Sequence, residues 1–219
     1  MRHSLRNKKT SRLSKVNRTV HNSKKRTCVT VFGNKLGHLE YVPAYSNCNN
    51  SFKSDLNNFI SYKNKNVFSG MQWQCVEYAR RYLITKLGVT FSSVNGAEDV
   101  FALKTVESIQ NGKKYKFKTY KNNLSCKRKD NIPQVDDVII WARNKKDTPY
   151  GHIAVILKIE GDQIYIGEQN WSNDVWTSSP LHSYSRILTL KTYNNKCSII
   201  DGNYTILGWK RAMVENVEE

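Results

Sequence analysis

The chain contains 219 residues, of which 39% are hydrophobic and 24% are charged, and its formal net charge is +17. This length and composition are typical of one globular domain with a single core, and they exclude a disordered or membrane protein. No apolar run approaches the roughly 18 residues that a membrane-spanning helix requires. Because the chain begins without the apolar stretch of a secretion signal, we expect an intracellular, cytoplasmic protein.

The positive charge is concentrated at the start of the chain. Residues 1–27 carry ten of the 35 Lys and Arg residues, and the first acidic residue is Glu40. So little apolar surface cannot offset the entropic cost of ordering a backbone, and we predict a disordered basic tail over 1–27 and one domain over 28–219. The tail fits a solubilising leader, a weak nucleic-acid or nuclear contact through the basic cluster at 24–26, or an organellar transit segment.

The cysteines are scattered along the chain and lack the CxxC spacing of a zinc site or a redox dithiol. Since their number is odd, the sequence favours neither a disulfide framework nor a structural zinc site. Each cysteine is therefore judged by its own surroundings. They are Cys28, Cys48, Cys75, Cys126 and Cys197.

The first half of the chain predicts one short strand and two helices. The segment CVTVF at 28–32 is typical of a strand, and the chain to about Gly70 reads as irregular. From Cys75 the segment CVEYARRYLITKL has apolar residues at helical spacing, and Gly88 follows it as a terminator. A second helix is predicted from Ala97 to about Gln110.

A lysine-rich stretch follows at 111–129, with eight Lys or Arg, no acidic residue, and the aromatic residues Tyr115, Phe117 and Tyr120 between them. Aromatic rings among cations are typical of a platform for single-stranded nucleic acid. Such stretches are more often solvated surface loops or edge strands, and we favour that interpretation.

The last third of the chain is rich in predicted strands, in the segments VDDVIIW, HIAVILKI, QIYIGEQ, SRILTL and TILGWK. The turn signal EGD between two apolar runs predicts a β-hairpin over 152–169. A helix-rich half followed by a strand-rich half indicates an α+β fold, in which N-terminal helices pack on an antiparallel β-sheet.

Cys75 is placed well for a nucleophile. It begins the best-predicted helix, where unpaired N–H groups and the helix dipole supply the partial positive charge that favours a thiolate. A cysteine taken alone is more often a buried structural residue. The predicted hairpin further along the chain favours a catalytic role for Cys75.

That hairpin brings three polar residues together. His152 stands at the entrance of one strand, and Glu168 and Asn170 stand near the exit of the other. If the turn holds an odd number of residues centred on Gly161, residue 152 faces 170, and 168 shares their side of the sheet. Glu168 can then fix the tautomer of the imidazole, as a catalytic triad requires. With a two-residue turn, His152 would face Gln169 instead.

These residues stand in segments that resemble a known family. The segments GMQWQCVEYARRYLITKLGV, DDVIIWARNKKDTPYGHIAVI, YIGEQN and ILGW are similar to the amidase domain of glutathionylspermidine and trypanothione synthetase/amidases. That domain is a branch of the CHAP superfamily of papain-like cysteine amidases, and the similarity covers about 180 residues. It implies the papain-like CHAP fold. The lysine-rich stretch departs from the family, which has a Pro- and Gly-containing connection there.

The resemblance assigns a role to each matching residue. The family's nucleophile falls on Cys75, its histidine on His152 and its acid on Glu168. Asn170 would lie beside the histidine in the polar network. Two further substrate-side positions follow from the motif WQCVEYARR: Gln74 as a neighbour of the oxyanion site and Arg80 as a contact to the glutathione part of the substrate.

The function implied is hydrolysis of the amide that joins glutathione to a polyamine, through a thioester and without a metal or organic cofactor. The known relatives continue into a synthetase domain, which this sequence lacks, so we expect hydrolysis only. Two other functions stay open. One is a CHAP-type peptidoglycan amidase or endopeptidase, and the other is a non-catalytic nucleic-acid-binding protein on the same fold.

Overall fold

The computed structural model describes residues 27–39, 42–178 and 183–214. The tail predicted over 1–27 lies outside these residues except for Thr27, so that prediction stays a prediction. Within the described ranges, no helix has both the length and the apolar character needed to cross a membrane.

The core of the fold is an antiparallel sheet of ten strands. Three separate two-stranded hairpins accompany it: β1 with β2, β3 with β4, and β12 with β13. The strands are β1 Lys35–Leu39, β2 Val42–Tyr45, β3 Asn57–Tyr62, β4 Lys65–Met71, β5 Val89–Thr90, β6 Thr105–Ser108, β7 Lys114–Lys121, β8 Leu124–Ser125, β9 Val138–Trp141, β10 His152–Glu160, β11 Gln163–Gly167, β12 Thr177–Ser178, β13 Ser183–Tyr184, β14 Arg186–Tyr193, β15 Lys196–Ile200 and β16 Ile206–Ala212. The order across the large sheet is β5-β6-β7-β16-β9-β10-β11-β14-β15-β8.

One α-helix, α1 at Cys75–Leu87, packs on this sheet, and the helix predicted there is confirmed. Gly88 ends it in the left-handed conformation at φ 63°, and its N–H donates to the Ile84 carbonyl. Glycine adopts this conformation without the steric cost that a Cβ would impose, which explains why the helix ends there. The buried face of α1 carries Tyr78 and Leu83 against the sheet.

The predicted α+β fold with N-terminal helices is wrong. In the described residues, antiparallel β-structure dominates, and α1 is joined only by short 3-10 helices at Ala97–Ala102 and Lys129–Asn131. Among the described residues before α1, there are two hairpins and no helix. The second predicted helix stops early because Thr105–Ser108 pair with Lys114–Lys116 as β6, where the β-branched Thr105 and Val106 suit a strand.

Part of the lysine-rich stretch is an interior strand. Its residues Lys114–Lys121 form β7, which lies between β6 and β16 rather than at a sheet edge. Phe117 and Tyr120 point into the core and are only 2% and 1% exposed, so neither ring is available to stack on a base. The prediction of a surface loop or edge strand holds for the exposed residues at 111–113, 123 and 127–129 and for the short β8 at the end of the sheet, but not for β7.

Two pairs of cysteines form disulfides, contrary to the expectation from spacing. Cys28 is bonded to Cys48, 20 residues away, and Cys126 is bonded to Cys197, 71 residues away. The second bond joins β8 to β15, whose pairing could not be read from the cysteine pattern. Cys75 is the free cysteine. The segment 28–32, expected to be a strand, is irregular and leaves Val29 and Val31 exposed.

The β10–β11 hairpin has a two-residue turn and a bulge, instead of the turn with an odd number of residues considered from the sequence. Its turn holds two residues, Gly161 and Asp162, between the paired Glu160 and Gln163. A bulge at Leu157 then shifts the register by one residue, so that Val155 faces Gly167. Continued toward the strand entrance, this register places position 152 opposite 170, as an odd-numbered turn would have done.

The core divides between the two faces of the sheet. Ile153 and Val155 of β10 belong to the cluster that packs under α1, whereas Ala154 and Ile156 belong to the second cluster, around Trp209. Since side chains alternate along a strand, His152 projects on the side of the second cluster. It reaches the N-terminus of α1 because it is the first residue of its strand.

Candidate active site

Cys75 is the first residue of α1 and is partly buried. The residue before it, Gln74, is extended and makes no side-chain cap to the helix, so backbone N–H groups of the first turn lack a side-chain partner from the cap. Glu77 in the same turn is fully buried, and Arg81 neutralises it through an ion pair of 2.7 Å. The cysteine therefore stands at the positive end of the helix dipole beside a carboxylate whose charge is already paired.

His152 lies between Cys75 and Glu168. Its Nε2 is 2.8 Å from Glu168 Oε2, and both side chains are almost completely buried. Because Nε2 is occupied by the carboxylate, Nδ1 is the ring nitrogen that remains available to Cys75, which lines the same cavity as His152. Burial disfavours the imidazolium, but the charges and hydrogen bonds of Cys75 and Glu168 outweigh it and raise the pKa of His152 to about 9.

Gly151 is required for His152 to enter the strand where it does. Its φ of +73° lies in the left-handed region, and a Cβ at this position would come within 2.7 Å of the Trp141 carbonyl oxygen and 2.8 Å of the Glu98 nitrogen. Only glycine allows the loop to approach β9 and the 3-10 helix so closely. The Gly-His pair in the sequence is thus explained by backbone geometry.

Glu168 is held in its ionised form by a cationic neighbour as well as by the imidazole. Its Oε1 accepts hydrogen bonds from Ser185 Oγ at 2.9 Å and from Arg186 Nε at 2.7 Å. Burial would raise the pKa of Glu168, but His152 and Arg186 overcome that effect and lower it to about 2. One carboxylate oxygen is thereby left to orient the imidazole while the other is anchored.

Gln74 and Asn170 contact each other. The Asn170 amide donates to Gln74 Oε1 at 2.9 Å, and Asn47 donates to Asn170 Oδ1 at 3.0 Å. Gln74 Nε2 in turn donates to Asn47 Oδ1 at 3.2 Å. Asn170 lines the same cavity as His152, and its amide bonds join the loop after β11 to the residue before Cys75. Its part in the polar network beside the histidine stays a prediction.

Arg80 is buried and bound to the backbone, whereas a residue that only contacts substrate would be exposed in the cavity. It is 3% exposed, and its guanidinium donates to the backbone carbonyls of Ser69, Phe91 and Ser92 at 2.8, 3.2 and 3.3 Å. Burial lowers the pKa of Arg80 to about 10. The side chain nevertheless forms part of the wall of a cavity that also reaches Cys75.

Two cavities meet at the cysteine. The larger, of about 730 Å³, contains His152 and the rings of Trp171 and Tyr204. The smaller, of about 320 Å³, has both polar and apolar lining residues, among them Arg80 and Glu77. Four residues border both cavities: Lys53, Gln74, Cys75 and Tyr150. Among the described residues, no three His, Cys, Asp or Glu side chains converge as ligands for a metal ion.

Several residues around the triad were missed by sequence reasoning. Gln169 accepts from Arg81 at 2.8 Å and donates to Glu77 Oε2 at 3.0 Å, which ties the end of the hairpin to α1. Asn47 and Arg186 lie outside the motifs that carry the family resemblance. Asn47 contacts Gln74 and Asn170, and Arg186 contacts Glu168. Gln169 could have been found from its position between Glu168 and Asn170, whereas Asn47 lies in a segment without any periodic pattern.

Comparison with known proteins defines the class. Residues 66–170, which contain Cys75, His152 and Glu168, match the model of the CHAP domain. The chain therefore carries a CHAP domain, and it is homologous to the amidase region of synthetase/amidases that act in glutathionylspermidine and trypanothione chemistry.

The individual relatives are similar to this chain over most of its length. A trypanothione synthetase of Crithidia fasciculata is 31% identical over 171 residues, which is 78% of this chain and 24% of that protein. A bifunctional glutathionylspermidine synthetase/amidase of Escherichia coli is 29% identical over 188 residues, 81% of this chain and 29% of that protein. A glutathionylspermidine synthase of C. fasciculata is 27% identical over 142 residues, 64% of this chain and 19% of that protein. The chain thus spans less than a third of these relatives.

Proposed function

We propose that this protein is a cysteine amidase in which Cys75 is the nucleophile, His152 the general acid and base, and Glu168 the residue that orients the imidazole. The observation that carries the proposal is the 2.8 Å bond between His152 Nε2 and Glu168, made at the wall of the cavity that Cys75 also lines at the start of α1. The raised pKa of His152 keeps the imidazolium, the proton donor that a leaving amine needs, populated at neutral pH.

The reaction has two halves. The Cys75 thiolate attacks the amide carbonyl, and the tetrahedral intermediate collapses when His152 donates its proton to the leaving amine, which breaks the C–N bond and leaves a thioester. Water then loses a proton to His152 and attacks the thioester, releasing the carboxylic acid and restoring the sulfur. The backbone N–H of Cys75, with Gln74 beside it, is suited to stabilise the oxyanion.

The substrate that the relatives favour is a glutathionyl-polyamine amide, cleaved from glutathionylspermidine to glutathione and spermidine. This rests on the name of the E. coli relative, a glutathionylspermidine synthetase/amidase. The two cavities support it, since a chain bound across Cys75 has room on both sides of the scissile bond. His152 borders only the larger cavity, so the leaving amine belongs there and the acyl group in the cavity beside Arg80.

One observation favours a second substrate class. Lys53 and Lys146 line the larger cavity with Asp147 as the acidic residue, which does not attract a polycationic amine. A basic cleft suits the anionic polymer that a peptidoglycan amidase or endopeptidase would cut. The third function considered is nucleic-acid binding without catalysis. It is not supported by the aromatic residues of the lysine-rich stretch, because Phe117 and Tyr120 are buried and cannot stack on bases.

The test is hydrolysis of glutathionylspermidine by the purified chain, measured as released amine, beside a cell-wall clearing assay. We expect amine release by the wild type and none by Cys75→Ala, with the circular dichroism spectrum unchanged. Wild-type turnover in Cys75→Ala would disprove the nucleophile. If the protein clears cell walls but releases no amine, its substrate is peptidoglycan and not a glutathionyl-polyamine amide. If it shows neither activity but binds nucleic acid with a steep salt dependence, it is a nucleic-acid-binding protein and not an amidase.

A further inference from the structure

Arg186, the first residue of β14, stands behind the triad and contacts it through Glu168. Its Nε donates to Glu168 Oε1 at 2.7 Å, and its Nη2 approaches Oε2 at 3.3 Å. Its Nη1 donates to Asp201 at 2.8 Å, so a second carboxylate holds the far side of the guanidinium. The side chain is 22% exposed and borders the larger cavity.

The same guanidinium also fixes the aromatic rings around the imidazole. Its central carbon lies 4.1 Å from the centre of the Trp171 ring, and the Trp171 ring is 4.7 Å from the His152 ring. On the other side, Trp141 contacts His152 at 5.3 Å and donates its indole N–H to Asp201 at 2.8 Å. The carboxylate and both indoles that contact His152 are therefore each bound to Arg186 or to its partner Asp201.

We propose that Arg186, held by Asp201, is a positioning residue of the amidase reaction: it fixes Glu168 and Trp171 against His152 and so keeps the imidazole aligned with Cys75. The inference rests on the proposed function. Neither residue lies in the motifs that carry the family resemblance, and Arg186 reaches the reacting atoms only through the residues it holds.

The physical reason is the geometry of a carboxylate at the end of a flexible side chain. Glu168 alone could rotate and present either oxygen to His152, or neither. A guanidinium with its planar set of donors fixes one carboxylate oxygen and the plane of the group, which leaves Oε2 directed at Nε2. A lysine would supply the charge but not the plane, so the two contributions can be separated by substitution.

The test measures the rate of Cys75 alkylation by iodoacetamide as a function of pH, because this readout needs no substrate. For Arg186→Gln we expect the rate at pH 7 to fall by about tenfold, part of what a well-positioned base contributes. The acid limb of the profile should also move to higher pH, since Glu168 loses the cation that helps keep it ionised. Arg186→Lys should keep the acid limb near its wild-type position but not restore the rate. Asp201→Asn should give a smaller fall in rate than Arg186→Gln.

Arg211→Gln is the matched control. Arg211 forms an ion pair of the same length, 2.7 Å, with the buried Asp137, but on β16 and without contact to Glu168. Loss of either pair should lower the melting temperature, whereas only the Arg186 variants should change the alkylation profile. If Arg186→Gln lowers the melting temperature but leaves the rate and acid limb of the folded protein as in wild type, Arg186 is structural only and the proposal is wrong.

The same experiment separates this inference from the proposed function. Should the wild type show a fast, pH-dependent alkylation of Cys75 but hydrolyse no glutathionyl-polyamine amide, the substrate would be wrong and the role of Arg186 would still be tested by the variants. Should wild-type Cys75 react no faster than a free thiol at every pH, the proposed catalytic site itself would fail.

Discussion

Glu168 Oε2 lies 2.8 Å from His152 Nε2, so Nδ1 is the ring nitrogen that remains for a second partner. This contact favours one tautomer of the neutral ring, because a proton on Nε2 is held by the carboxylate. In the proposed reaction, the proton that moves is therefore the one on Nδ1.

The pH profile should report this pairing. The pKa of His152 is raised from its ordinary value of 6.5 to about 9. The imidazolium therefore contributes fully to the stability of the folded state below pH 6.5, and this contribution is lost as the pH rises through about 9. We expect amide hydrolysis to decline on the alkaline side near pH 9, as measured by kcat/KM. Glu168→Gln removes one cause of the raised pKa, and the alkaline limb should move to lower pH. An alkaline limb that stays unmoved in Glu168→Gln would show that another group controls it.

Gln74 should contribute to the transition state rather than to substrate binding. Its amide lies directly before Cys75 and is oriented by Asn170 and Asn47. Gln74→Ala should lower kcat by about 10²-fold with a small change in KM, a loss typical of a missing oxyanion donor. The control is Gln72→Ala, two residues earlier, whose amide makes one long contact of 3.5 Å to a backbone carbonyl. Equal losses in both variants would contradict the role.

Arg80 should matter for stability as well as for substrate. Removal of its guanidinium leaves the buried carbonyls of Ser69 and Phe91 and the partly buried carbonyl of Ser92 without their donor, and hydrogen bonds to a charged group contribute roughly 1.5–3 kcal/mol each. We expect Arg80→Met to lower the free energy of unfolding by about 3 kcal/mol in urea titrations. Arg128→Met, at a side chain that is 80% exposed, should change it little. A stable Arg80→Met protein with a raised KM alone would make Arg80 a substrate contact without a structural role.

The disulfide that closes the longer loop should stabilise the fold more than the other. For separations of 20 and 71 residues, loop-closure entropy gives about 3 and about 4 kcal/mol. Cys126→Ser with Cys197→Ser should therefore lower the unfolding midpoint more than Cys28→Ser with Cys48→Ser. Thiol titration of the native wild type without reductant should find one reactive thiol, Cys75, and five thiols in its place would show that neither bond forms.

The parts of the site that could be predicted are those whose signal is local. Cys75 opens a helix with clear apolar spacing and a glycine stop, and Gly151 with His152 opens a buried strand. Glu168 lies on the paired strand, where alternation alone sets its face. These signals need only a few neighbouring residues to be read.

The parts that could not be predicted depend on distant pairing. The lysines of β7 suggested an exposed segment, but β16 follows almost 90 residues later and takes β7 into the sheet, which buries Phe117 and Tyr120. The helix predicted from Ala97 to about Gln110 is instead a short 3-10 helix that ends at Ala102, because Thr105–Glu107, within the predicted range, pair with β7. Arg186 carries no local signal, since its importance comes from the residues that fold around it.

The bulge at Leu157 separates the catalytic end of the β10–β11 hairpin from its tip. Since the extra residue is absorbed midway along the strand, the loop at Gly161 and Asp162 can be exchanged for an engineered insert, such as a purification epitope or a fluorescent reporter, without rotating His152 out of line. Deletion of Leu157 should also leave the imidazole on its face of the sheet, because it removes the unpaired residue and keeps every other pair of the ladder.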